Sequence, residues 1–177
     1  FRSLVLEPIL GKAGGNKGMA SFRQKIGGQY CMVGRQDGKN LFLLRSDSID
    51  RWDDDGVLLM EPEFPWEFVQ IGNCGSPILT DEGALLLTHG ARAMRQYALG
   101  CALLDRDDPS KVIARSSKPL LSAIDADRFG YVPNVVYTCG ALLVEAQLLV
   151  PYGISDSAVG FATTSVRELL ARLDSTR

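Results

Sequence analysis

The residues best suited to chemistry are basic and sit beside turns. Lys17 lies in Gly14-Gly15-Asn16-Lys17-Gly18, a glycine-rich loop. Such a loop can cradle an anion through backbone N–H groups, with the lysine adding charge. It lacks the GxxxxGK[ST] spacing of a nucleotide-binding loop, and no helical pattern follows it. Arg35 follows an apolar run and Gly34, and leads into Gln36-Asp37-Gly38. His89, the single histidine, follows the apolar run 84–87, with Arg92 and Arg95 close behind. Basic groups gathered at strand ends can receive an anion through charge-assisted hydrogen bonds. Taken singly, they also suit a structural histidine and a solvated loop. Asp156, within Ser155-Asp156-Ser157, suits a turn or a carboxylate that accepts from sugar hydroxyls. Trp52 and Trp66 can stack on sugar faces or simply pack.

Other chemistries find less support. No GxSxG element marks a serine nucleophile. A glycosidase needs two placed carboxylates, and nothing in the spacing of Asp53, Asp54, Asp55, Glu61, Glu63 and Glu67 selects a pair. Cys31, Cys74, Cys101 and Cys139 form no CxxC, and with one histidine they give no metal set. Reduced, mostly buried thiols are the expectation. The 177 residues are 46% hydrophobic and 23% charged, which is ordinary for a globular chain. Lys plus Arg number 19 against 21 Asp plus Glu, and no block of like charges stands out. This balance argues against nucleic acid as a partner. No apolar run reaches the roughly 18 residues of a membrane span, and no signal pattern opens the chain, so a cytoplasmic location is expected. A start at Phe1-Arg2-Ser3 that enters an apolar stretch at once reads as a chain cut from something longer.

The elements that must position these residues are strands. Short apolar runs alternate with turns such as Gly27-Gly28, Asp37-Gly38 and Thr80-Asp81-Glu82-Gly83. That pattern is all-β. Strand pairs beginning near residues 18, 74 and 133 recur at roughly 55–60 residues, each followed by a third strand, and 111–115 reads as a fourth. Repeated four-stranded units suggest propeller blades, with an irregular β-sandwich as the alternative. The pattern predicts units over 16–60, 66–121 and 131–164, a leftover outer strand over 3–10, and one partial propeller domain over 1–177. A helix is expected over 165–174. Ser165 and Glu168 form its capping box, and Val166, Leu169, Leu170 and Leu173 share one face.

Several stretches, in order, resemble glycoside hydrolase family 130, the β-mannoside phosphorylases and β-mannosidases. They are NKGMASFRQKIGGQY (16–30), WEFVQIGNCGSPI (66–78), LGCALLDRDDPSKVIAR (99–115), YVPNVVY (131–137) and YGISDSAVGFAT (152–163). The resemblance runs from about residue 10 to 173. It implies a five-bladed β-propeller, of which about three blades are present here. It also implies inverting phosphorolysis, in which a β-mannosyl unit passes to inorganic phosphate and gives α-mannose 1-phosphate.

Carried over by position, Lys17, Arg35, His89 and Arg95 stand where the family binds phosphate. Asn134, Tyr152 and Asp156 stand where it binds the mannosyl unit. Gln70 stands where a further basic residue often occurs. The family's general acid comes from an early blade, so no catalytic residue is expected in this chain. No cofactor is implied, and phosphate is a co-substrate beside a β-mannoside oligosaccharide. A β-mannoside hydrolase of the same family and a non-catalytic mannoside-binding fragment are the alternatives. Self-association into a homo-oligomer stays open.

Overall fold

A computed structural model describes residues 3–124 and 129–176. Among them the chain is all-β, with one short α-helix and two 3-10 turns, Lys12–Gly15 and Ala93–Arg95. The first sheet is an antiparallel meander of β1 (Ala20–Ser21), β2 (Tyr30–Gly34), β3 (Leu41–Ser46) and β4 (Val57–Met60), in that spatial order. Asp37 closes its central turn, one carboxylate oxygen accepting from the amides of Lys39 and Asn40 at 2.8 Å each.

The second sheet is built on β5 (Gln70–Asn73), β6 (Ile78–Leu79), β7 (Ala84–Arg92), β8 (Gln96–Leu104), β9 (Val112–Arg115) and β10 (Leu121–Ser122). The long hairpin β7–β8 is its centre. β5 and β6 pair with β7, and β9 and β10 pair with β8. The third sheet has β13 (Gln147–Ile154) in the middle. β11 (Val136–Tyr137) and β12 (Leu142–Val144) lie along one edge of it, and β14 (Ala158–Ser165) along the other.

Residues 3–9, read above as a strand, form none. Leu4, Val5 and Leu6 lie exposed, and Leu10 alone makes a parallel bridge, to Arg51. None of the described strands pairs with this stretch. The C-terminal helix is also shorter than its pattern. The helix α1 spans Val166–Leu170, and its capping box is formed: Ser165 Oγ accepts from the Glu168 amide at 3.1 Å, and a Glu168 oxygen accepts from the Ser165 amide at 3.3 Å. The helix stops because the chain beyond it is claimed by a sheet. β15 (Asp174–Ser175) pairs with Arg115 and Ala114 of β9. This helix is not long and apolar enough to cross a membrane.

β7 reads as a nearly continuous apolar run because it is buried on both faces. Alternate residues serve different cores. Ala84 and Leu86 join Val33, Leu41, Leu43 and Ile71 between the first two sheets. Leu85 and Leu87 join Leu99, Cys101, Val136, Leu148 and Leu169 between the second and third. A smaller cluster of Ala13, Met32, Leu44 and Trp52 backs the first sheet. Cys31, Cys74 and Cys101 are buried, Cys139 is exposed, and all four are free thiols.

A plug from the β4–β5 connection packs onto the second sheet. Trp66 and Glu67 are buried against β7 at Gly90, where a Cβ would lie 2.6 Å from the Trp66 ring. Only glycine admits this approach. Trp66 Nε1 donates to the Ser117 carbonyl at 3.1 Å. Glu67 is fully buried, accepts from the Glu63 and Phe64 amides, and pairs with Arg115 of β9. Arg115 also reaches Glu63 and the Glu61 carbonyl. Burial pushes the Glu67 carboxyl up, while the two amides and Arg115 pull against that shift.

Candidate functional site

Arg35 follows the end of β2, and its guanidinium is buried. Nη2 donates to the Gly38 carbonyl and to Gln70 Oε1, the latter at 2.9 Å. Its Nε has no hydrogen-bond partner, and no ion pair among the described residues includes it. Across from it, buried Asn73 on β5 leaves Oδ1 unpartnered. Gly18 lies between them: a Cβ there would sit 3.4 Å from Arg35 Cδ and 4.0 Å from Asn73 Oδ1. A buried cation without a carboxylate is costly unless something else supplies the negative charge.

His89 projects from β7 toward the third sheet. Pairing sets it opposite Gly72, whose missing side chain leaves room for the imidazole. Its ring lies 5.7 Å from that of Tyr97 and 5.1 Å from that of Tyr137, the second an edge contact. Cys74 Sγ lies 3.6 Å from Nδ1. Burial pushes this thiol up to about 12, so it stays protonated.

Burial, and then the charge on Arg35, push the His89 imidazole down to about 4, while a hydrogen bond with the Asn73 main chain works the other way. The ring is therefore neutral at pH 7. An unfolded histidine titrates near 6.5. Between pH 6.5 and 4 the unfolded chain takes up a proton that the folded chain refuses. Stability present above the unfolded value is lost as pH falls through this window, up to about 3 kcal/mol. Urea unfolding of the wild type and of His89→Gln at pH 7 and pH 4.5 checks this. The variant is expected to lose less stability on acidification. An equal loss would show that His89 is not the group responsible.

Tyr137 continues the site into a cavity bordered by Tyr152, Asp156, Thr138, Cys139 and Val159. Tyr152, on β13, lies over Gly160 of β14, where a Cβ would meet the ring at 2.6 Å. Asp156 sits in the β13–β14 turn with its side chain exposed. Ser155 and Asp156 both take positive φ, 48° and 54°, the conformation that tight hairpins require. Asn134, also at positive φ, accepts from the Tyr97 amide at 3.2 Å and tethers β8 to the third sheet.

The sequence-derived residues thus divide. Arg35 and His89 share one buried neighbourhood, and Tyr152 and Asp156 share the adjoining cavity. Lys17 and Arg95 are exposed, and neither makes a hydrogen bond or ion pair among the described residues that would bring it into the Arg35 group. Lys17 precedes the glycine that packs on Arg35, and Arg95 lies at the tip of the β7–β8 hairpin. Both tryptophans pack: Trp52 Nε1 donates to the Ile49 carbonyl, and Trp66 belongs to the plug. Five of the six carboxylates considered for a glycosidase pair are engaged elsewhere: Asp53 with Arg51, Asp55 with Lys12, Asp54 with the Arg45 and Gly56 amides, and Glu63 and Glu67 with Arg115. No group of three metal-ligating side chains occurs among the described residues. Sequence reasoning missed Tyr97, Tyr137 and Asn73. The available signal was a polar asparagine on the buried β5, opposite the histidine strand.

Three comparisons bear on this arrangement. A family model described as β-1,4-mannooligosaccharide phosphorylase matches residues 12–175. A 1,2-β-oligomannan phosphorylase of Thermoanaerobacter sp. (strain X514) is 36% identical over 155 residues, covering 87% of this chain and 52% of that protein. A β-1,2-mannobiose phosphorylase of the same organism is 38% identical over 148 residues, covering 83% and 49%. Among solved structures, the β-1,2-mannobiose phosphorylase of Listeria innocua in complex with β-1,2-mannobiose superimposes with a TM-score of 0.79 at 29% identity, covering 89% of this chain and 46% of that one. The chain spans about half the length of the curated relatives it matches. With the match running through every element that carries the site, the chain belongs to glycoside hydrolase family 130.

Proposed function

We propose that this chain is part of an inverting β-mannoside phosphorylase, with its three sheets serving as three blades (16–60, 66–121 and 131–164) of a five-bladed propeller. The observation that carries the reading is Arg35: a buried guanidinium with an unpartnered Nε and no carboxylate. Inorganic phosphate supplies the missing charge. Arg35 and the neutral His89 hold it, and Lys17 and Arg95 contribute from the rim. The mannosyl unit occupies the cavity at Tyr152 and Asp156, near Asn134, where the exposed carboxylate can accept from sugar hydroxyls. A phosphate oxygen then attacks the anomeric carbon opposite the leaving oxygen. The new C–O bond forms as the glycosidic bond breaks, and a general acid contributed from outside these residues protonates the leaving oxygen. A phosphate that is already anionic needs no strong base, which suits a histidine kept neutral.

Hydrolysis is the second reading, and Gln70 favours it. An amide stands where the family resemblance implies a further basic residue, which reduces the positive charge facing an anion. Incubation of this chain together with the part of the protein that supplies the general acid, with β-1,2- and β-1,4-mannobiose and with and without phosphate, separates the readings. Mannose 1-phosphate formed only with phosphate supports phosphorolysis. Free mannose formed at the same rate in both conditions replaces it with hydrolysis. Mannoside binding without turnover replaces it with a non-catalytic fragment.

A further inference from the structure

Two buried polar atoms near Gly18 lack partners, and they are of opposite kind. Arg35 Nε can only donate, and Asn73 Oδ1 can only accept. A Cβ on Gly18 would lie 3.4 Å from Arg35 Cδ and 4.0 Å from Asn73 Oδ1, so both side chains border one spot. Asn73 is 5% exposed, and an acceptor this buried is costly to leave unmatched. The donors nearby are turned elsewhere. Arg35 Nη2 serves the Gly38 carbonyl and Gln70 Oε1, and Gln70 Nε2 faces the Tyr97 oxygen at 3.1 Å. The His89 imidazole is hydrogen-bonded to the Asn73 main chain, not to its amide. Pairing with Thr88 fixes that main chain in β5. The residue is held in place, and its side-chain oxygen is left over.

A ligand that satisfies both atoms must accept from Arg35 and donate to Asn73. Water does both but brings no charge to the buried cation. A fully deprotonated anion meets the first demand and fails the second, because its oxygens set lone pairs against those of the amide. Hydrogen phosphate meets both: a P–O⁻ faces the guanidinium and the P–OH faces the amide. Near neutral pH inorganic phosphate keeps at least one proton, and sulfate keeps none. Two tetrahedral anions of similar size are thus told apart by a proton. A site that leaves its buried polar group unpaired with the wrong ligand rejects that ligand.

We propose that Asn73 is a specificity-determining residue of this site: its Oδ1 accepts the proton of hydrogen phosphate and thereby excludes sulfate. The proposal rests on the phosphate reading above and deepens it by naming the protonation state that the site takes. It also holds the proton on an oxygen turned to the wall at β5, away from the oxygen that attacks.

Calorimetric titration at pH 7 with inorganic phosphate, and separately with sodium sulfate, tests this on the chain together with the part of the protein that supplies the general acid. The wild type is expected to bind phosphate roughly 10- to 100-fold more tightly than sulfate, the range for a hydrogen bond that involves a charged group. Asn73→Leu removes the acceptor and keeps a similar volume. It is expected to weaken phosphate binding by that factor and to leave sulfate binding unchanged or tighter, so the preference disappears. Asn73→Asp keeps the acceptor and adds negative charge. It is expected to weaken sulfate binding more than phosphate binding, so the preference grows. A merely structural Asn73 would lower both affinities by the same factor. That outcome in either variant overturns the proposal, and so does a preference that survives in Asn73→Leu. If Asn73→Leu fails to fold, Asn73→Asp decides. A wild type that binds the two anions equally sinks this proposal and leaves the phosphate reading standing. A wild type that binds neither sinks both.

Discussion

Arg35→Met is expected to abolish phosphate binding while leaving the fold as stable as before, or more so. The two halves of this result come from one feature. Arg35 is desolvated but not neutralised: it has two acceptors, the Gly38 carbonyl and Gln70, and no carboxylate. Charge-assisted hydrogen bonds contribute about 1.5–3 kcal/mol each. Loss of even two to phosphate corresponds to at least roughly 100-fold in affinity. Without ligand the same cation is a liability, since burying an uncompensated charge opposes folding. Methionine keeps the aliphatic stem that packs at Gly18. Phosphate titration and urea unfolding of the same preparation give both numbers. A variant that loses stability as well as binding would make Arg35 a structural residue and remove the main support for the anion site.

Glu67→Ala is expected to do the reverse, with a loss of about 3–5 kcal/mol of folding free energy from breaking one side of a buried ion pair. Arg115 would be left buried, facing Glu63, the Glu61 carbonyl and the Phe64 ring. The Glu63 and Phe64 amides would lose their shared acceptor as well. For a domain whose whole stability is about 5–15 kcal/mol this is a large fraction. At about 2–4 °C per kcal/mol for this size the melting temperature should fall by roughly 10 °C. Thermal unfolding followed by circular dichroism decides it. A fall of only a degree or two would mean that water or Glu63 replaces Glu67, and that the plug is not what locks β7 to β9. The two arginines make the contrast sharp: similar burial, but Arg115 has carboxylate partners and Arg35 has none among the described residues.

What the sequence made legible was local. The turn at 80–83 and the apolar run after it mark β7, and the Ser165–Glu168 box marks the start of α1, because each is decided within a few residues. The end of α1 was not legible. Leu173 continues the helical face, but a pairing with β9, some sixty residues away, takes the chain at Asp174. The candidate site divides in the same way. Arg35 and His89 could be singled out as polar residues following apolar runs. Tyr97 could not, because its role depends on register. Only the pairing of Gln70 with Ala91, and of Ala91 with Tyr97, sets the amide and the phenol side by side. Trp66 and Glu67 resembled candidates for sugar stacking or acid catalysis. The glycine beneath them, Gly90, lies far along the chain and makes them a structural plug.

The two-faced burial of β7 has a kinetic consequence. Its side chains contribute to both large cores, so neither core can be complete before this strand is in place, while the hairpin that holds it needs only a short loop closed. The β7–β8 ladder is thus the natural nucleus. Its amides should be the last to exchange with deuterium, opening only when the whole molecule opens.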